Sequence, residues 1–201
     1  MNISNPTRIL VYYPIVHTQA DMGALKESVV RATLEKSGRI GLTRKKALID
    51  QVWTEIEKSI EGMSLAFDRV RLYQDGLPVC GREAAIVAEL AQQGSRNHQL
   101  LLRLMDRGAV LMGTEDRDLL LQEYQLSKQV LKGSQPRSAG VQTLRRQRSE
   151  NLLTQRDHFM ARRINETLRT GETGILFIGL FHSLRGCLDQ DIKVIYPLQP
   201  R

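Results

Sequence analysis

The sequence predicts an α/β fold: a mainly parallel central sheet with helices on both faces. Three observations predict it. Short apolar runs alternate with segments whose apolar residues recur three or four apart, the pattern of strands joined by crossover helices. The run 175–181, Ile-Leu-Phe-Ile-Gly-Leu-Phe, is apolar on both faces, as a central parallel strand covered on each side must be. Gly, Ser, Pro and Asp cluster at the joints between these segments. With 201 residues, 41% of them hydrophobic, the chain suits one α/β domain over 1–201 with a substantial core.

Each element has its own warrant. Residues 9–16 are β-rich, but Pro14 cannot donate to a ladder, so the strand should end near Tyr13 or carry a bulge. A polar stretch, 17–23, leads into an amphipathic helix over 24–36. Residues 37–41 read as a linker, and Thr43 as the N-cap of a second helix over 44–61, apolar at Leu48, Val52, Ile56 and Ile60. Residues 67–73 alternate apolar and polar, as a half-buried or edge-proximal strand does. Asp75-Gly76-Leu77-Pro78 ends that strand in a loop. Helices follow over 82–92 and 97–106, then a buried run over 108–113, then a helix over 118–131. Residues 133–140 read as an exposed loop, within a basic segment over 133–148. A helix from about 141 leads to Gly171, with a break expected near Ser149 because its length exceeds the usual ~8–20 residues. The strand at 175–181 ends at His182, and 192–196 forms a last strand.

Composition narrows the function. No apolar run approaches the ~20 residues of a membrane helix. The N-terminus lacks a signal-peptide pattern, and two cysteines, Cys80 and Cys187, make no disulfide framework, so the expected compartment is the cytoplasm. Cys187 is near His182 in sequence, although a small loop residue explains it as well. The net charge of +7 comes largely from 128–148, which lacks the interleaved aromatics of a single-strand binder, so nucleic acid ranks last among partners. A small-molecule or peptide substrate ranks above it, and the sequence leaves a homo-oligomer open.

Parallel strands bring their carboxyl ends to one edge, where ligands of such sheets bind. Four strand ends carry chemically able residues: His17 with Asp21, Asp75, Glu115 with Asp116, and His182. Two histidines and several carboxylates on one rim could hold a divalent ion such as zinc, manganese or cobalt. Such an ion lowers the pKa of a bound water. Without one, a histidine could act as general base beside an orienting carboxylate. Bland explanations compete: Asp75 suits a turn, and Glu115-Asp116 suit the start of a helix. Arg156 and Asp157 could be surface ion pairs, yet Asp157 lies one turn before Met160 and Ala161, beside the buried face, where a carboxylate needs a partner. His98 and His158 read as packing or surface residues. No Gly-x-Gly-x-x-Gly follows the first strand and no Walker loop is present, so no nucleotide cofactor is expected. Gly-x-Ser-x-Gly is also missing, which argues against a nucleophile-elbow hydrolase.

Arg156-Asp157-His158-Phe159-Met160-Ala161, then Ile164, then Gly179-Leu180-Phe181-His182, resembles the C-terminal half of the TraB and GumN proteins. These share a fold with the Tiki metalloproteases and, more distantly, with ChaN-like and erythromycin-esterase-like proteins. The resemblance implies a TraB/ChaN-like sheet and a Gly-x-x-His histidine at His182. It implies a second at His17, where the motif reads Pro14-Ile15-Val16-His17, with proline for glycine. The family's acidic residue falls at Asp75 or Glu115. In Tiki-like members the two histidines are tied to metal-dependent peptide cleavage.

Three functions follow, in order. The first is a metal-dependent hydrolase with His17 and His182 as ligands, Glu115 or Asp75 as ligand or base, and Arg156 steadying an anionic group. The second is a non-catalytic protein that keeps the rim for a small ligand or for regulation. The third is nucleic-acid binding through Arg145, Arg146 and Arg148.

Overall fold

The structure is a computed structural model that describes residues 8–16, 26–131 and 138–198. Its five strands are β1 (Arg8–Ile15), β2 (Val70–Gln74), β3 (Val110–Met112), β4 (Thr173–Gly179) and β5 (Ile192–Ile195). Its helices are α1 (Lys26–Glu61), α2 (Glu83–Gln92), α3 (Arg96–Asp106), α4 (Arg117–Leu131) and α5 (Ala139–Thr167). The strands form one sheet in the order β3-β2-β4-β1-β5, and every pair is parallel. The predicted α/β architecture is therefore present. No described helix is long and apolar enough to cross a membrane.

The core has two layers, one on each face of the sheet. Val11, Tyr13, Leu72, Ile175 and Phe177 point to one face and meet Trp53, Ile56 and Ile60 of α1, Val87 of α2 and Leu100, Leu101 and Leu104 of α3. Leu10, Tyr73, Leu176 and Ile178 point to the other face and meet Met160, Ala161 and Ile164 of α5 and Leu168 just past its end. Successive strand residues alternate faces, so a central strand apolar throughout feeds both layers. Gly174 leaves room for side chains of the neighbouring strands: a Cβ there would lie 2.8 Å from Leu10 Cδ1 of β1 and 3.1 Å from Tyr73 Cε2 of β2.

Several boundaries differ from expectation. The linker expected at 37–41 shrinks to one residue. Gly38, at φ 64° and ψ −179°, kinks α1, and helix continues on both sides; glycine takes that backbone without steric cost. β1 runs through Pro14 to Ile15. Ile9 donates its N–H to Glu172, on the β4 side. N–H directions alternate along a strand, so Pro14's nitrogen faces the β5 side, where pairing has already ended at Val11↔Ile195. Residues 67–69 form a 3₁₀ turn, and β2 starts only at Val70. β3 is a three-residue edge strand rather than a buried run, and Val110 is 40% exposed. β4 stops at Gly179, where its partner β1 also stops, leaving Leu180 and Phe181 exposed. The break expected near Ser149 is absent, since α5 is continuous. Its first turns occupy 139–148, so that part of the basic segment is helix rather than loop; 133–137 lie outside the described residues. Arg146 and Arg148 are exposed as expected, while Arg145 is half-buried.

Candidate functional site

The two acidic loops are stitched together before either carboxylate finds a partner. Thr114, fully buried after β3, donates its hydroxyl to Gln74 O at 2.6 Å and accepts Gln74 N–H at 3.1 Å. Thr114 and Glu115 both donate their N–H groups to Leu77 O, and Val79 donates to Glu115 O. Gly113 makes this approach possible, because a Cβ there would sit 2.8 Å from Val79 Cα. Asp75 and Glu115 are thereby fixed side by side, immediately beyond β2 and β3, at the carboxyl edge of the sheet.

α5 supplies the complementary residues one turn before its core contacts. Arg156 is 4% exposed. Its Nη2 donates to Asp75 Oδ1 at 2.8 Å and to Glu115 Oε1 at 2.5 Å, and its Nε to Glu115 Oε2 at 3.2 Å. Nη1 donates to Glu123 of α4 at 2.6 Å. The adjacent Asp157 faces the turn that follows β4. Its Oδ1 is 2.5 Å from His182 Nδ1, and its Oδ2 accepts Ser183 N–H at 3.1 Å. That turn is closed by His182 N–H donating to Gly179 O. Asp75 Oδ2 accepts Gly179 N–H at 2.8 Å and lies 3.5 Å from His182 Nε2.

The imbalance of charge is the site's main electrostatic fact. Asp75, Glu115 and Asp157 are buried with Arg156 as their buried cation. Burial pushes the Glu115 carboxyl up to about 7; Arg156 opposes the shift and the Asp75 charge adds to it. For Arg156, burial acts to lower the pKa, but the Glu115, Asp75 and Glu123 carboxylates outweigh it and hold the guanidinium firmly protonated. Tyr12 lies close by, its hydroxyl donating to His182 O at 3.4 Å. Burial, then the Tyr196, Asp157 and Asp75 charges, raise the Tyr12 phenol to about 12.

Five residues singled out from sequence therefore meet here: Asp75, Glu115, Arg156, Asp157 and His182. Asp75 and Glu115, the two alternatives for the acidic position, lie side by side in this cluster. His182 sits in a turn three residues past β4 rather than at the strand end. His17 and Asp21 lie outside the described residues. Asp116 stands apart and caps α4, accepting N–H groups from Asp118 and Leu119. His158 is exposed, and His98 is a buried packing residue bonded to Ser95 at 2.6 Å. Glu123 and Tyr12 were not foreseen. One glutamate on an amphipathic helix carries no distinguishing signal, and Tyr12 reads only as a strand residue.

Asp75, Glu115 and His182 offer ligand atoms that all lie within 4.8 Å of one another, a group that could hold a metal ion. The donor set suits one: carboxylates and an imidazole bind zinc, manganese or cobalt at ~2.0–2.2 Å. Asp157 on Nδ1 leaves Nε2 directed at Asp75, the carboxylate–histidine arrangement that orients metal-binding imidazoles. The surplus of buried negative charge is what a cation would offset. No protein-family model, curated protein or solved structure matches this chain.

Proposed function

We propose that this chain is a metal-dependent hydrolase of the cytoplasm, acting on a small molecule or peptide at the carboxyl edge of its sheet. The orientation of His182 carries the reading. Asp157 holds Nδ1 at 2.5 Å, so Nε2 faces Asp75 Oδ2, 3.5 Å away and beside Glu115. Asp75, Glu115 and His182 would hold zinc, manganese or cobalt. The ion would supply a bound water of lowered pKa, a hydrolytic nucleophile near neutrality. Asp157 fixes the tautomer and ring plane of His182. Arg156 keeps both acidic loops in place and presents positive charge where an anionic group could be steadied. The resemblance to TraB, GumN and Tiki-like proteins at Arg156-Asp157, Met160 and Gly179–His182 supports the same chemistry.

A second reading has its own observation. Arg156 already donates to both oxygens of Glu115 and to Asp75 Oδ1. A guanidinium so placed can be the cation these carboxylates need, which favours a non-catalytic ligand-binding or regulatory protein of the same fold.

Metal analysis of protein purified without a histidine tag separates the two. The hydrolase reading expects near-stoichiometric metal, lost in His182→Ala together with any hydrolytic activity; the variant should still fold but melt earlier, because Asp157 loses its partner at 2.5 Å. His158→Ala, exposed on the same helix as Arg156, should keep both. Wild-type protein that neither carries metal nor takes it up on dialysis, with a His182→Ala variant that only melts earlier, would hand the site to the second reading.

A further inference from the structure

A cleft of about 620 Å³ opens beside His182, at the carboxyl ends of β1, β4 and β5. Tyr12 of β1 and Tyr196, just past β5, line it with their rings 5.0 Å apart and tilted by 48°. Pro14, Leu184 and Val194 add apolar surface. Gly179 and Ser183 also line it, and their N–H groups are the ones that hold Asp75 and Asp157. The cleft therefore shares a wall with the candidate centre. Arg185 stands on its rim, exposed, with no carboxylate partner among the described residues. Asp189, which also lines the cleft, is committed to Arg8 at 2.9 Å, as Asp191 is at 2.5 Å.

We propose that this cleft binds an aromatic acid, its ring against Tyr12 and Tyr196 and its carboxylate on Arg185. The tyrosine pair offers faces and edges for an aromatic body. An unpaired guanidinium on the rim is the group that takes a carboxylate in a forked pair. The lining also carries Ser183, Asp189 and Gln190 beside its apolar side chains, polar groups of the kind that orient a ligand in a small-molecule site. As the seat of a substrate's non-reacting arm the cleft rests on the hydrolase reading; as a binding site it stands by itself.

The probe is 1-naphthoate, titrated by calorimetry into metal-free protein, with neutral 1-naphthalenemethanol as its partner. Saturable naphthoate binding is expected below about 1 mM. Arg185→Gln should weaken naphthoate roughly fivefold and leave the alcohol unchanged, as loss of an exposed ion pair does. Tyr196→Ala should weaken both compounds by about tenfold through lost ring contact. If Tyr196→Ala does not fold, Val194→Phe, which fills the cleft from β5, should give the same loss. Leu144→Ala, in the separate groove between α4 and α5, should change nothing. His182→Ala should still bind naphthoate, whether or not it has lost metal, so failure of the hydrolase reading and failure of this one are distinct results. No saturable binding, or binding indifferent to both Arg185→Gln and the cleft variants, would overturn the proposal. Loss of the alcohol equal to that of naphthoate in Arg185→Gln would overturn the acid specificity.

Discussion

Replacing Arg156 with methionine tests whether one guanidinium holds the carboxyl edge together. Methionine keeps much of the side chain's length and removes only the charge and its donors. The side chains of Arg156, Asp75 and Glu115 are 4%, 3% and 0% exposed, so water cannot replace what is lost. Removing one partner of such a buried pair costs about 3–5 kcal/mol. The bond to Glu123 adds little, because that carboxylate is 46% exposed and such pairs contribute about 0–1 kcal/mol. For a chain of this size each kcal/mol shifts melting by ~2–4 °C, so a fall of roughly 6–20 °C is expected. Guanidinium-induced unfolding of metal-free protein measures it, with Trp53, the only tryptophan and 1% exposed, as a fluorescent reporter of the core.

The sign of the pH dependence gives a second check. Glu115 has its folded pKa raised from 4.5 to about 7, so its contribution to stability is fully present below 4.5 and is lost as pH rises through about 7. Arg156 opposes that rise, and Arg156→Met removes the opposition. The penalty should therefore be smallest near pH 5 and grow towards pH 8. Adding Glu115→Gln should recover part of the loss, since a neutral amide tolerates burial without a counter-charge. A cost under about 1 kcal/mol, or one that is flat between pH 5 and 8, would refute the buried-charge argument.

Two further outcomes follow from neighbouring contacts. Gly113→Ala should destabilise by about 1–3 kcal/mol, because its Cβ would lie 2.8 Å from Val79 Cα and 3.1 Å from Pro78 O, both backbone; Gly140→Ala, with nothing within 4 Å, should not, and equal effects in denaturant melts would dismiss the close approach. Arg71 bonds to Glu172 and holds its carboxyl below the ordinary 4.5, so this stabilisation is present above 4.5 and is lost as pH falls through the lowered value. Glu172→Gln should accordingly cost about 1.5–3 kcal/mol at pH 7 and progressively less in acid, and a pH-independent cost would contradict it.

How much was legible depends on which physical rule spoke. The apolar run at 175–178 and the helical spacing of Met160, Ala161, Ile164 and Leu168 announced burial, and these residues form the α5 side of the sheet. Strand ends were harder, because a ladder ends where its partner ends. Leu180 and Phe181 continue the apolar run, yet β1 stops opposite Gly179 and leaves them exposed. Conversely Thr173 and Gly174 look like turn residues but pair with Ile9 and Leu10. At the site, residue types at parallel strand ends were enough to name Asp75, Glu115 and His182. The pairing pattern was not legible. Nothing in sequence says that Arg156 reaches across to both acidic loops, or that Glu123 closes the network from α4.

The adjacency of Arg156 and Asp157 accounts for the shape of this site. Consecutive helix residues point ~100° apart, so one position on α5 serves two different strand ends. Arg156 turns to the loops after β2 and β3, and Asp157 to the turn after β4. The register that achieves both is set one turn further along by Met160, Ala161 and Ile164, all 0–1% exposed against the sheet. A slip of α5 by one residue would bury wrong side chains in the core and detach both clusters at once. The core thus fixes the site's geometry. The site in turn depends on the core at Asp75, whose carboxylate is bonded by Gly179 of β4 and by Arg156 of α5. That single carboxylate joins the two halves: Oδ1 belongs to the arginine network and Oδ2 faces His182. Because its carboxylate bonds to Arg156 and to Gly179 N–H and faces His182, Asp75 is a position at which a change in one half would be felt by the other.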